Sequence, residues 1–273
     1  MKILFLGTSS AEGYPGLFCE CKSCEKARKL KGKNIRTRSS ILIDRIYKVD
    51  LPPDTYLHTI KYGLNLAEIE HLFITHSHID HFAVSELACR SEEFAYFKKE
   101  RILNIYGNKK VCKLTENFFK KRTNYKTYIN LHIIEPFKKF KVGDMDVYPI
   151  QADHDPNEKC LNFIFNYRNR TILQGYDTGW YSDKTWEYLK NFRFDLVIMD
   201  CSGGKHPQMK NHLGMVEVIK VKNKLLQNNL LKDGFKFIVT HLSHFGSLLH
   251  SELTRGLKKE GIEVAYDGKI VKL

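Results

Sequence analysis

Seven residues of this 273-residue chain have the types and spacing of a metal centre. His76, His78, Asp80 and His81 fall within six positions, directly after the apolar run Leu72-Phe73-Ile74. His154, Asp177 and His241 follow at the ends of three further apolar runs. Five imidazoles and two carboxylates supply ligands for two divalent ions, and zinc, manganese or iron suits that donor set. Alternate residues in the turn share a side, so His76 and His78 are expected to face one ion, and Asp80 and His81 the second. Two ions about 3.5–4 Å apart would lower the pKa of a bridging water towards 7 and neutralise charge on the attacked group. The chemistry expected is hydrolysis through a metal-bridging hydroxide, at phosphorus or at a carbonyl carbon. Asp80 is also a catalytic candidate, because it could orient the nucleophile.

Cys19, Cys21 and Cys24 put three thiols into six residues. In a reducing compartment that spacing reads as a metal site before a disulfide. Three soft ligands call for a fourth, and a closed tetrahedral zinc site is the usual solution. His244, three residues beyond His241, is the candidate. Cys89, Cys112, Cys160 and Cys201 are isolated in apolar or mixed segments and read as small core residues.

Other polar residues leave two readings open. His212, in Asn211-His212-Leu213-Gly214, could donate a proton to a leaving alkoxide or bind phosphate, or it is a polar residue at a helix start. Asp200 ends the apolar run Leu196–Met199 and could orient a ligand histidine or serve some other buried partner. Arg36, Arg38 and Ser39 could meet a phosphate, although a surface role is the reading preferred. His58, His71, His132, His206 and His250 have no supporting context and are expected to be structural or exposed.

These residues need a scaffold of strands. Short apolar runs predict strands at 2–6, 41–44, 71–75, 102–106, 131–135, 146–151, 161–166, 171–174, 195–200, 236–240 and 262–266. Helical spacing falls at about 65–70, 83–97, 108–122, 182–192, 213–231 and 247–259. Leu231 to Gly234 reads as the stop of the fifth of these helices. Strands and helices mix without a linker or repeat, so one α/β domain over 1–273 is expected. Four of the metal-site segments follow predicted strands, which would bring their ligands to one sheet edge.

The formal charge is +13, with basic residues spread over Lys22–Arg38, Lys120–Lys126, Lys138–Lys141 and Lys220–Lys224. Such dispersion favours a solvated surface, and it would also steer anionic substrates. No apolar run nears the roughly 20 residues of a membrane span, and the N-terminus shows no cleavable-signal pattern. A cytoplasmic protein without a membrane partner is expected, and a homodimer is compatible with the sequence.

Thr75-His76-Ser77-His78-Ile79-Asp80-His81 resembles the signature of the metallo-β-lactamase superfamily. Gly7-Thr8, Gly175-Tyr176-Asp177-Thr178-Gly179 and Ala265-Tyr266-Asp267-Gly268 extend the resemblance along the chain. It implies an αββα four-layer sandwich. It also implies that His76, His78 and His154 hold one ion, that Asp80, His81 and His241 hold the other, and that Asp177 bridges them. The cysteine cluster with Thr240-His241-Leu242-Ser243-His244 is similar to the cyclic phosphodiesterase subgroup of the carbon–phosphorus lyase pathway, which opens 5-phosphoribosyl 1,2-cyclic phosphate. That resemblance implies a structural zinc on Cys19, Cys21, Cys24 and His244. Val49-Asp50-Leu51 departs from the family's Asp-x-Gly, and 82–90 lacks its usual glycine.

The expected activity is therefore a phosphodiesterase acting on a small anionic, cyclic or linear phosphodiester. Alternatives are a transfer-RNA 3′-processing nuclease, a carbonyl hydrolase (lactamase or thioesterase), and a non-catalytic cofactor-biosynthesis protein. The nuclease ranks lower because the chain lacks a glycine-rich basic arm. Seven intact ligands argue against the non-catalytic role.

Overall fold

Strands apolar on both faces need cover on both, and the chain provides it with two stacked sheets and outer helices. The computed structural model describes residues 1–99, 101–120, 128–207 and 210–273. The first half comprises β1 (Lys2–Gly7), α1 (Lys22–Leu30), β2 (Ser40–Ile43), β3 (Tyr47–Val49), α2 (Thr55–Tyr62), β4 (His71–Phe73), β5 (Leu103–Gly107), α3 (Lys109–Lys120) and β6 (Ile129–Ile133). Next come β7 (Phe140–Val142), β8 (Met145–Gln151), β9 (Leu161–Tyr167), β10 (Arg170–Gly175), α4 (Asp183–Leu189) and β11 (Phe194–Asp200). The chain closes with α5 (Met215–Gln227), β12 (Leu231–Thr240), α6 (His250–Leu257), β13 (Glu263–Val264) and β14 (Ile270–Lys272).

One sheet runs β14-β1-β2-β3-β4-β5-β6 and the other β13-β12-β11-β10-β9-β8-β7. Strand β14 pairs antiparallel with β1, so the chain's end returns to the first sheet. Between the sheets, Ile3, Phe5, Val49 and Phe73 pack against Val147, Phe163, Phe165 and Ile198. On the far side of the second sheet, Leu173, Val197 and Val239 are covered by Trp186, Val218, Leu225 and Leu253 from α4, α5 and α6. On the far side of the first, Leu42, Leu72 and Ile105 meet Leu87 and Val111. The result is the expected αββα sandwich, a metallo-β-lactamase fold. No helix among the described residues is long and apolar enough to cross a membrane.

Several local expectations change. The helix predicted over 83–97 is a short 3-10 segment, Val84–Arg90, whose last residue ties its guanidinium to the Arg101 and Tyr128 carbonyls. Helix α5 stops at Gln227, not at Leu231: Asn229 takes a left-handed φ of 55°, and buried Leu231 already pairs with Phe194. Gly234, read as the helix stop, lies inside β12 where its register with β11 slips. Strands β3, β7 and β14 are only three residues long, too short to show a period. Helix α1 is mostly polar, which hid it as well. Cys89 is exposed, contrary to its core reading, whereas Cys112, Cys160 and Cys201 are buried. Of the basic stretch Lys120–Lys126, residues 121–126 lie outside the described residues, as does the end of the helix expected to reach 122.

Candidate metal centre and its cavity

Four segments that leave strands deliver the seven predicted residues to one edge of the sandwich. His76 and His81 follow β4, His154 follows β8, Asp177 follows β10, and His241 follows β12. Asp177 lies at the middle. Its Oδ2 is 3.2 Å from His76 Nε2 and 3.0 Å from His81 Nε2, and its Oδ1 is 3.2 Å from His154 Nδ1. His78, His76 and His154 form one donor group, and Asp80, His81, Asp177 and His241 form another. Asp177 and His241 both sit at φ 57°, a left-handed conformation costly for a side chain with a Cβ. That strain points to positions held for chemistry.

The donors fit metal ions. His78 Nδ1 faces His154 Nε2 at 3.2 Å, and His81 Nε2 faces His241 Nε2 at 3.3 Å. Two ring nitrogens face each other at that distance only with a proton or a metal cation between them, and a divalent ion would meet the need of both pairs. His76 Nε2 and Asp177 Oδ1 are buried without a well-formed hydrogen bond, and an unsatisfied polar atom is costly in such a place. Burial alone would raise the Asp177 carboxyl, but His241, His81 and His76 hold it well below the usual carboxylate range.

The remaining ring nitrogens are held from behind, as ligand histidines commonly are. His81 Nδ1 is 2.7 Å from Asp50 Oδ2, which also accepts from Tyr176 and Thr75. His241 Nδ1 meets Ser202 Oγ at 2.8 Å and Asp200 Oδ2 at 3.1 Å. His78 Nε2 meets Asp155 at 3.2 Å. Glu158 accepts from the Ser77 amide and hydroxyl, which fixes the turn between His76 and His78. Asp200 thus does orient a histidine, one of its two sequence readings. Asp50, Tyr176, Asp155 and Glu158 were not singled out as functional residues in the sequence, because a carboxylate's partner is not visible in one dimension.

A cavity of 380 Å³ opens over this centre, lined by His78, Asp80, His154, Asp177, His241, His212, Ser202 and Phe245 among others. His212 is part of its wall, 3.4 Å from Asp200 and 3.3 Å from Asp177, so the surface reading of this residue is overturned. Burial pulls the His212 pKa down, yet the Asp200 hydrogen bond and the charges of Asp200 and Asp177 push it up to about 9. His206, Glu12, Ser10 and Ser243 also line the cavity, and sequence reasoning missed that role. Arg36 and Arg38 do not line it. Arg36 is buried instead of exposed, bonded to Thr8, Ala265 and His250, and Arg38 pairs with Asp54. Ser39 is buried on the Ser9 carbonyl.

The thiols of Cys19, Cys21 and Cys24 come together with His244. His244 Nδ1 is 3.4 Å from Cys19 Sγ and 3.6 Å from Cys21 Sγ, and the Gly16 amide donates to Cys24 Sγ. Burial opposes ionisation of Cys21, but the Cys24 amide and His244 bring its thiol down to about 6. A partly ionised thiol beside two others suits a soft divalent ion.

Fold and site together define the class. Residues 41–231 match the beta-lactamase superfamily domain, and the chain belongs to that superfamily, with its metallo-β-lactamase hydrolase fold. Its structure is similar to that of a diphosphatase from the PhnP family, at TM-score 0.77 and 20% identity over 100% of this chain and 97% of that one. Zinc-bound PqqB from Methylobacterium extorquens superposes at 0.76 and 15% identity, covering both chains fully (100% each). Human tRNase Z, short form, follows at 0.67 and 17%, over 100% and 99%. An octanoyltransferase of Porphyromonas gingivalis is 24% identical over 161 residues, 56% of this chain but only 31% of that protein.

Proposed function

We propose that this chain is a metal-dependent phosphodiesterase acting on a small phosphodiester. The observation that carries the reading is the convergence of three imidazoles on the Asp177 carboxylate, at 3.0–3.2 Å, beneath an open cavity. His76, His78 and His154 would hold one divalent ion, Asp80, His81 and His241 a second, and Asp177 would lie between them. Manganese or zinc, or else iron, suits these donors. Cys19, Cys21, Cys24 and His244 would hold a structural zinc. Two bound divalent ions supply an activated water and neutralise charge on the phosphoryl group.

The chain's own side chains do the rest. Asp80 borders the cavity and would orient a nucleophile. His212 lines the same cavity and would give a proton to a leaving alkoxide. The cavity's size suits a small molecule. Its described lining has no lysine or arginine, which favours a small diester over a nucleic-acid backbone. The likeness to a PhnP-family diphosphatase supports phosphorus over carbonyl chemistry.

The test is hydrolysis of bis(p-nitrophenyl) phosphate by manganese-loaded protein, beside His76→Ala. Turnover in the wild type and its loss in the variant are expected. Equal rates in both, with the ions shown bound to the wild type, would overturn the reading and turn attention to a carbonyl substrate.

A further inference from the structure

A second cavity, of 270 Å³, lies under α2 on the outer face of the first sheet, away from the metal centre. Its walls are mostly apolar, with Leu51, Ile69, Leu72, Leu87, Phe97 and Leu103. Two cations line it as well, Lys48 and Arg90. Lys48 is only 2% exposed and Arg90 9%.

Neither cation has a carboxylate partner among the described residues. Lys48 Nζ donates to Ser40 Oγ and to the Asp50 carbonyl, both at 2.5 Å. Arg90 donates to the Tyr128 and Arg101 carbonyls and lies over the Phe97 ring. Glu86, the one carboxylate in the lining, pairs with neither. Burial without a counterion brings the Lys48 pKa down to about 7, against the weaker pull of the Asp50 charge. Two desolvated, unpaired cations in an apolar slot are costly. An ammonium has three donors and a guanidinium five, so both keep capacity for an anion.

We propose that this cavity binds a monocarboxylate with an aliphatic chain, its head on Lys48 and Arg90 and its chain among the leucines. A single negative charge is favoured over a phosphate dianion because the cost of burying an anion rises with its charge. Lys48 also holds the carbonyl of Asp50, whose side chain holds His81. The occupant would therefore act on a residue that positions the metal centre.

The experiment is calorimetric titration of the metal-loaded full chain with octanoate. Saturable binding at one site per chain is expected. It should persist in His76→Ala, vanish when Thr59→Trp fills the cavity, and weaken at least about tenfold in Arg90→Met, as loss of a hydrogen bond to a charged group predicts. Octylamine, with the same chain and the opposite charge, should not bind. Absence of saturable octanoate binding, equal binding of octylamine, loss of binding in His76→Ala, or full affinity in both Arg90→Met and Thr59→Trp would each overturn the proposal. Lys48→Met should weaken binding like Arg90→Met, and the Arg90 and Thr59 variants decide the matter if it fails to fold.

Discussion

Asp50 and His81 are joined at 2.7 Å, both fully buried, with the imidazole's other nitrogen 3.0 Å from Asp177. Asp50 stands at φ 62°, and its carboxylate also receives Thr75 and Tyr176. One residue just past β3 thus fixes a ring, the start of the histidine turn and a tyrosine just past β10. Asp50→Asn keeps the size but removes the charge that holds the His81 Nδ1 proton. Metal affinity or turnover should fall about 10–100-fold, measured by competition with a chelator and by diester hydrolysis. A variant that binds both ions as tightly as wild type would show that His81 needs no such anchor.

The cysteine cluster joins the N-terminal loop to the segment three residues past His241. Cys21→Ser removes one of the four donors grouped there. Tightly held zinc should fall from about one per chain to none, as expected for a closed four-ligand site. The melting temperature and the hydrolysis rate should both drop, because the loop carrying His241 loses its tie. Elemental analysis and calorimetry read these directly, and an unchanged zinc content and melting temperature would refute the site.

His212 can be separated from the ions by changing the leaving group. His212→Gln should slow diesters with poor alkoxide leaving groups by about 10²–10⁴-fold, the usual range for general acid catalysis. Release of p-nitrophenolate needs little proton donation and should change far less. Equal losses for both leaving groups would assign His212 to binding or to support of Asp200.

The cluster of candidate ligands is legible because its spacing is local: a strand, a turn and His76-Ser77-His78-Ile79-Asp80-His81. Single residues at the ends of β8, β10 and β12 completed the set, since those strands read clearly as apolar runs. What surrounds the ligands was not legible. Glu158 closes on Ser77 from 81 positions away, and Tyr176 reaches Asp50 from 126. Arg36 reads as a surface residue in sequence, yet the fold buries it because the Thr8 hydroxyl and the Ala265 carbonyl receive its donors.

His58 gives a pH dependence remote from the metal centre. It is 1% exposed, with Nε2 at 2.7 Å from Thr37 Oγ1 and Nδ1 without a hydrogen-bond partner among the described residues. Burial, reinforced by the charges of Lys48 and Lys61, lowers its pKa to about 3. An unfolded histidine titrates near 6.5. Above that pH both states are neutral, and the residue imposes no penalty. As the pH falls from 6.5 towards 3, the unfolded chain takes up a proton that the folded chain refuses. Stability should therefore decline by up to about 1.4 kcal/mol per pH unit from this residue alone. His58→Gln, which keeps a partner for Thr37, should lose that slope. Urea unfolding of both proteins between pH 7 and pH 4 checks it: the wild-type curve should fall more steeply, and parallel curves would mean that His58 is protonated in the folded state.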